Sequence, residues 1–293
     1  MYLKDFNYLR PKSLFEACEM LRNSNDGALI AGGTDLLVEM KMGLRQHEDV
    51  ISLAEVHELK KIEEDEDYII IGGGITHSDI VNSDLIKQNY NALSEASSNV
   101  GTEQVRNAAT VGGNICTGAS CCDTGPVLLA ADSIFELTDT EGSREIPVKD
   151  FFIFHRKTAL KKGEILTRIK VPKLEAGTGI SIEKFGLRDA ASISVASAVS
   201  SITIDKGVCV DAKIVIGAVA PIPFISKKAS EILIGEKIEN LINDSEILEM
   251  AGDAAIADSR PLTDIRGSAN YRRQLVKVLV KRTIKKAVTR ATK

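Results

Sequence analysis

The sequence predicts an α+β protein made of a two-lobed domain and a smaller one behind it, and three observations carry that expectation. Its 293 residues exceed what one compact core usually holds, which favours two domains or a domain of two lobes. Hydrophobic residues at 44% and charged residues at 27% match ordinary globular usage, which argues against disorder and a fibrous role. Helical periodicity and strand-like alternation also succeed one another along the chain, with no internal repeat and no low-complexity tract.

In chain order, Ser13 is placed to cap a helix over "LFEACEMLRN", with Leu14, Ala17, Cys18 and Leu21 on one face and the run Asn23 to Gly27 ending it. The strand "ALIAG", the helix "TDLLVEMKMG" and the strand "DVISL" follow, giving a small α-β-α-β lobe to about residue 55. "LKKIEEDEDYIIIGGG" reads as strand-turn-strand, and Thr76 with Asp79 has capping-box spacing ahead of the next helix. A helix over "ALSEASSNVG" leads into "TEQVRNAATVGGNICTGASCCDTGPVLLAAD", whose low charge between ordered neighbours suggests burial. "DSIFELTD", "SREIPVKDFF" and "EILTRIKVP" read as strands that complete the second lobe.

Pro172 and "KLEAGTG" read as a linker, so the expected domains are 1–174, with lobes 1–55 and 56–174, and 175–293. Beyond it, "ISIEKFGLRD", "ISVASAVSSITID" and "VCVDAKIVIGAV" alternate as antiparallel strands, and "SEILEMAGDAAIAD" is a helix. The tail "YRRQLVKVLVKRTIKKAVTR" has apolar residues on roughly helical spacing opposite its cations. It reads as a helix packed on its own domain; a membrane-surface helix would carry the Trp and Phe anchors that this tail lacks.

A net charge of -4, from 37 basic and 41 acidic residues, gives no general attraction to nucleic acid. No stretch approaches the about 20 apolar residues of a membrane span, and the N-terminus lacks a signal-peptide core, so a cytoplasmic protein is expected. The five cysteines are scattered and odd in number, which points to reduced thiols. Cys116, Cys121 and Cys122 fall short of the about four thiolates that an iron-sulfur cluster needs. The four histidines lack metal-ligand spacing and read as surface or locally bonded residues, and no metal site is expected. No Ser-His-Asp or Cys-His arrangement is visible, so no catalytic side chain is assigned.

The chemistry is concentrated in two glycine turns. Gly32-Gly33-Thr34 joins a strand to a helix start, a setting that bares backbone N–H groups and the positive end of a helix dipole to a phosphate. Glycine is also what such a turn needs for its own geometry, and that plainer reading stands beside the first. Val111-Gly112-Gly113-Asn114, preceded by Thr110, offers a hydroxyl, close backbone approach and an amide side chain, and two such turns would pinch one diphosphate. A dinucleotide is the natural occupant, although G-x-G-x-x-G and its following acidic residue are absent. Gly72-Gly73-Gly74 is attributed to turn geometry.

"LIAGGTDLLVEMKMG", "TEQVRNAATVGGNICTGASCCDTGP" and "EKFGLRDAASISVASA", in that order and spacing, resemble the FAD-binding subunit of the molybdenum hydroxylases, the family of xanthine, carbon monoxide and nicotinate dehydrogenases. The resemblance covers essentially the whole chain. It implies a two-lobed FAD-binding domain of the vanillyl-alcohol-oxidase (PCMH) type, followed by a C-terminal domain of the carbon monoxide dehydrogenase flavoprotein kind. It also implies that Leu29, Ile30, Ala31, Gly32, Gly33, Thr34, Asp35 and Leu36 line the pyrophosphate and flavin. Ala109, Thr110, Gly112, Gly113, Asn114 and Thr117 complete the clamp, with Val100 and Cys122 among the contacting positions. Asp123 matches an acidic position on the ribityl chain, and Leu166 and Lys184 match positions near the isoalloxazine.

Read from the residues alone, Asp123 in a nearly uncharged stretch needs hydrogen-bond partners, which ribityl hydroxyls would supply, or else it caps the helix that follows. Lys184 alone reads as a solvent-facing charge on an alternating strand.

The resemblance further implies an electron-exit subunit of a hetero-oligomer. A molybdopterin-binding large subunit would oxidise a purine such as xanthine, or another N-heterocycle. A 2Fe-2S small subunit would relay the electrons, and FAD here would pass them to NAD+ or another acceptor. The alternatives are a self-sufficient FAD oxidase on the same fold and a nucleotide-binding module with no redox role.

Overall fold

The computed structural model describes residues 3–293 and divides into two compact units, each drawing on separate stretches of chain. The first takes the chain up to Ile80 together with Thr102–Gly118 and Ser133–Pro172. The second takes Val81–Gly101, Ala119–Asp132 and Lys173–Lys293.

The first unit opens with a three-stranded parallel sheet in the order Asn7–Leu9, Asp49–Ser52, Gly27–Ile30. Ser13 caps the helix Leu14–Asn23 as its sequence indicates, accepting from Glu16 N. Ala17 and Cys18 of that helix are fully buried in a cluster with Leu53, Val56, Leu59 and Ile165. Asn7–Leu9 is a strand that the sequence does not announce, because its three residues carry no alternation and Tyr8 stands in solvent.

The same unit holds a five-stranded antiparallel sheet in the order Ile62–Glu64, Tyr68–Gly72, Ile165–Pro172, Ile134–Thr138, Ser143–Pro147. Thr76 and Asp79 form the expected box: Thr76 N donates to Asp79 Oδ2 at 3.1 Å and Asp79 N donates to Thr76 Oγ1 at 3.1 Å. "SREIPVKDFF" is not one strand. Val148–Phe151 winds into a helical turn, since Val148 and Phe151, three apart, both point into the core, where the Phe151 ring meets Phe135 edge-on at 4.9 Å.

The triple glycine has a reason other than turn geometry. None of its members has a positive φ, but a Cβ on Gly72 would lie 2.2 Å from the Leu59 carbonyl and one on Gly73 2.2 Å from that of Leu166. Close backbone approach, not chain reversal, selects glycine there.

The second unit is built on a four-stranded antiparallel sheet in the order Thr178–Phe185, Ala196–Asp205, Val208–Gly217, Phe224–Ile225. The C-terminal helix Ala269–Ala291 packs on its first two strands and on the helix Glu246–Asp258, burying Val276, Leu279, Val280, Ile284, Ala287 and Val288. Its apolar face is therefore spent on its own unit, as the sequence reading preferred. Thr124–Ala130, buried at every position, packs on the sheet and on the helix Asn91–Ser98. Among the described residues no helix is long and apolar enough to cross a membrane.

Candidate functional site

The first glycine turn leaves the strand Gly27–Ile30 and enters the helix Leu36–Lys41. Gly33 has φ +69°, a conformation that strains any residue bearing a Cβ. Gly32 is pinned from outside: a Cβ there would sit 2.0 Å from the Ala108 carbonyl. The end of the helix Glu103–Ala108 thus packs directly against the turn. The helix begins with Leu37 N donating to Gly33 O, while no protein acceptor stands within reach of the main-chain N–H groups of Gly32 to Leu36 among the described residues. Leu29, Ile30, Ala31, Thr34 and Leu36 are half-buried around this row of bare donors, and Asp35 is exposed. The arrangement fits a polyanion flanked by an apolar group.

The second motif differs from its reading as an open turn. Val111–Thr117 is a helix, and Gly112 and Gly113 lie in its first turn. Its donors are already used: Val111 N goes to Ile75 O, Gly112 N to Gly73 O, Gly113 N to the Thr110 hydroxyl and Asn114 N to Thr110 O. Thr110 therefore acts as the N-cap, and the amides of Val111 to Asn114 are not available to a phosphate. Gly112 is required by packing, with the Gly73 carbonyl 2.4 Å from where a Cβ would stand. Gly113 has nothing closer than the Thr110 hydroxyl at 3.0 Å, so its Cα face is open to a ligand. Ala109 and Thr110 are buried, and Leu166 is buried in its strand with its carbonyl against Gly73. Thr117 ties the two motifs together, its hydroxyl donating to Asp35 Oδ2 at 3.1 Å.

In the second unit, the Asp123 carboxylate accepts from Lys184 Nζ at 2.7 Å and from the Ser194 hydroxyl. Lys184 also donates to Asn99 O at 2.8 Å. Both charged side chains are 9% exposed, so Lys184 is not the solvent-facing charge that its strand position alone suggests. Burial pushes the Asp123 carboxyl above its ordinary value, against the pull of Lys184 and Ser194. Asp123 occupies the N-cap position of the helix Thr124–Ala130 without capping it through its carboxylate. Its side chain makes no capping bond; the Cys122 sulfur instead accepts from Gly125 N at 3.3 Å. Burial raises the Cys122 thiol to about 12, a packing sulfur and not a nucleophile. Val100 is half-buried and bonds Ser97 O through its N–H.

Sequence reasoning missed Ser194, which precedes a strand and carries no local signal. Of the two readings offered for the histidines, surface or locally bonded, the first does not hold for His77. His77 is fully buried, and its pKa is pulled down to about 4, first by burial and then by Arg106.

The chain is similar to known proteins along nearly its whole length. Residues 4–174 match the FAD binding domain in molybdopterin dehydrogenase, and residues 184–287 match the CO dehydrogenase flavoprotein C-terminal domain. The nicotine 6-hydroxylase medium subunit of Paenarthrobacter nicotinovorans is 33% identical, with 99% of this chain and 100% of that one covered. The carbon monoxide dehydrogenase medium chain of Afipia carboxidovorans is 30% identical over 98% of each. A solved carbon monoxide dehydrogenase from Hydrogenophaga pseudoflava, lacking the Mo-pyranopterin moiety, matches with a TM-score of 0.93 at 31% identity, covering 99% of both chains.

Proposed function

We infer the function from an established premise: the chain belongs to the FAD-binding subunits of the molybdenum hydroxylase family. Its fold is the FAD-binding domain of that family followed by the flavoprotein C-terminal domain, and its cofactor is FAD. Beyond this, we read the chain as the electron-exit subunit of its complex. A molybdopterin-binding large subunit oxidises the substrate, a small 2Fe-2S subunit relays the electrons, and this chain delivers them to NAD+ or a comparable acceptor. The substrate we favour is a purine such as xanthine or another N-heterocycle, a choice supported by the relative named for nicotine. The complex would work in the cytoplasm.

The observation that carries the reading is the row of main-chain donors from Gly32 to Leu36, held open by the packing of Gly32 on Ala108. These amides would hold the pyrophosphate. Gly113 would admit the cofactor along its bare Cα, while Thr110, whose hydroxyl is spent on Gly113 N, fixes the helix beside it. Bound FAD supplies the exchange between one-electron clusters and a two-electron acceptor. The protein's own task is to position it and to shape the charge around it, which accounts for the lack of any assigned catalytic acid or base. Within the second unit, Asp123 and Lys184 form a buried charge pair.

The test is spectroscopic. The purified chain should bind FAD stoichiometrically and should not be reduced by xanthine or nicotinate by itself. Added partner subunits should confer that reduction. A chain that takes up no FAD overturns the reading, and substrate-driven reduction of the lone chain would identify a self-sufficient oxidase.

A further inference from the structure

The helix Leu36–Lys41 has six residues, and a helix so short takes its direction from what is bonded to it. Two carboxylates stand one turn apart along it, Asp35 at its N-cap position and Glu39 within it. Both are tied to the same place, the end of the helix Val111–Thr117. Asp35 is reached directly, by the Thr117 hydroxyl at 3.1 Å. Glu39 is reached through Arg156, whose main-chain N–H donates to Gly118 O at 2.7 Å and whose guanidinium donates to Glu39 Oε1. All of these residues belong to the first unit.

The backbone at Arg156 is unusual for this purpose. Its φ is +58°, a left-handed conformation that is disfavoured for a residue bearing a Cβ, and from it one residue makes both bonds. The hairpin that carries it is firmly rooted. Phe152 pairs with Thr158 and Phe154 with Lys157, while Ala159 N donates to Phe151 O at 2.8 Å. Phe151 is itself fully buried against Phe135.

Glu39 has a side chain only 10% exposed, and a carboxylate so placed needs cations or donors. It has two arginines, Arg156 and Arg45, with Arg45 Nε 3.1 Å from Oε2. They are not equivalent. Arg45 comes from the chain that leaves the same helix, so it neutralises Glu39 without tying the helix to another element. Arg156 comes from the hairpin, and its bond fixes this end of the helix in place. Loss of Arg156 therefore leaves the carboxylate paired and the fold intact, with the helix held at Asp35 and able to pivot there.

We propose that Arg156 is a positioning residue for the cofactor: through Glu39 it holds the helix, and with it the open amides of Gly32 to Leu36, at the angle that receives the pyrophosphate. The proposal rests on the cofactor reading above. A row of donors binds its anion well only when distance and angle are set beforehand, and the second tether sets them.

The experiment titrates the apoprotein of the whole chain with flavin, read by flavin fluorescence, beside thermal melting of the same apoproteins. Arg156→Met removes the charge at similar length and should weaken FAD binding by about tenfold, the scale of one hydrogen bond to a charged group. Its apoprotein should melt within about 4 °C of the native one. Arg156→Lys should recover most of the affinity, because Nη1 carries the bond and a point charge can replace it. Glu39→Gln should weaken FAD as much as Arg156→Met, and the two together no more than either alone, since both act through one pair. FMN, which keeps the flavin and ribityl chain but lacks the pyrophosphate, should lose less than about threefold in each variant. Full FAD affinity in Arg156→Met, losses that multiply in the double variant, or equal losses for FMN overturn the proposal. So does an Arg156→Lys protein as weak as Arg156→Met. A native chain that takes up no flavin overturns the cofactor reading and this proposal with it, whereas tight native binding that Arg156→Met leaves untouched overturns the positioning role alone.

Discussion

Thr117 Oγ1 donates to Asp35 Oδ2 at 3.1 Å, joining the helix of the second glycine motif to the start of the helix that follows the first. The same hydroxyl lies 2.9 Å from the Gly113 carbonyl, so its one proton is shared between two acceptors. The bond fixes where the Asp35 carboxylate stands relative to the bare amides of Gly32 to Leu36. Thr117→Val removes it while keeping the side chain's shape. FAD affinity should fall about fivefold, the equivalent of one net hydrogen bond of about 1 kcal/mol. Fluorescence titration of the apoprotein with FAD reads this directly, and an unchanged affinity would reduce the bond to a packing detail.

The adjacent glycines Gly112 and Gly113 should respond oppositely to the same change. Gly112→Val drives a side chain into the Gly73 carbonyl, which cannot retreat without breaking its bond from Gly112 N, and the first unit should be markedly destabilised. Gly113→Val meets only the Thr110 hydroxyl, so the fold should persist while FAD is excluded. Circular dichroism and thermal melting separate the two cases, and flavin absorbance completes the comparison. Stoichiometric FAD on Gly113→Val would remove this helix from the cofactor site.

Features set by local sequence were legible in advance. The Ser13 cap, the Thr76–Asp79 box and the amphipathic C-terminal helix depend on residues a few positions apart, and each takes the form its spacing indicates. Features set by contacts between distant segments were not. Lys184 meets Asp123 across 61 positions, and neither residue's neighbours announce the other. The triple glycine reads identically whether a turn or an approaching carbonyl demands it. The second motif shows the same limit, because Thr110 followed by glycines fits both a phosphate loop and a capped helix, and only Ile75 and Gly73 decide between them by taking the amides.

The pair Asp123 and Lys184 can be dissected by its asymmetry. Asp123→Ala leaves the Lys184 ammonium buried with the Asn99 carbonyl, and the loss should be about 3 to 5 kcal/mol of stability, as for other broken buried pairs. Removing both charges in Asp123→Ala/Lys184→Met should restore more than half of that loss, since no lone charge remains inside. If the carboxylate also bonds the ribityl chain, the refolded double variant should bind FAD about 1 to 3 kcal/mol more weakly than the native protein. Urea unfolding and flavin titration measure the two effects separately. A double variant no more stable than Asp123→Ala would show that the pair is not energetically coupled.

His77 should make the first unit acid-sensitive in a defined window. Its folded-state pKa is about 4, below the ordinary 6.5, because burial and then Arg106 disfavour the charged imidazole. The unfolded chain therefore binds a proton between pH 6.5 and 4 that the folded chain refuses. The stabilising contribution is complete above pH 6.5 and is lost as pH falls toward 4. Asp49, Glu58, Asp264 and Glu249 are all held below their ordinary values by hydrogen bonds, so their own losses come at lower pH, whereas the Asp123 carboxyl, raised by burial, acts with the opposite sign and gains stability as pH falls. Between pH 7 and pH 5 the native protein should lose about 2 kcal/mol of unfolding free energy to this one group. His77→Gln, which cannot take the proton, should show less than a quarter of that slope in urea titrations at the two pH values. Equal slopes in the two proteins would mean that the imidazole accepts its proton without leaving the fold.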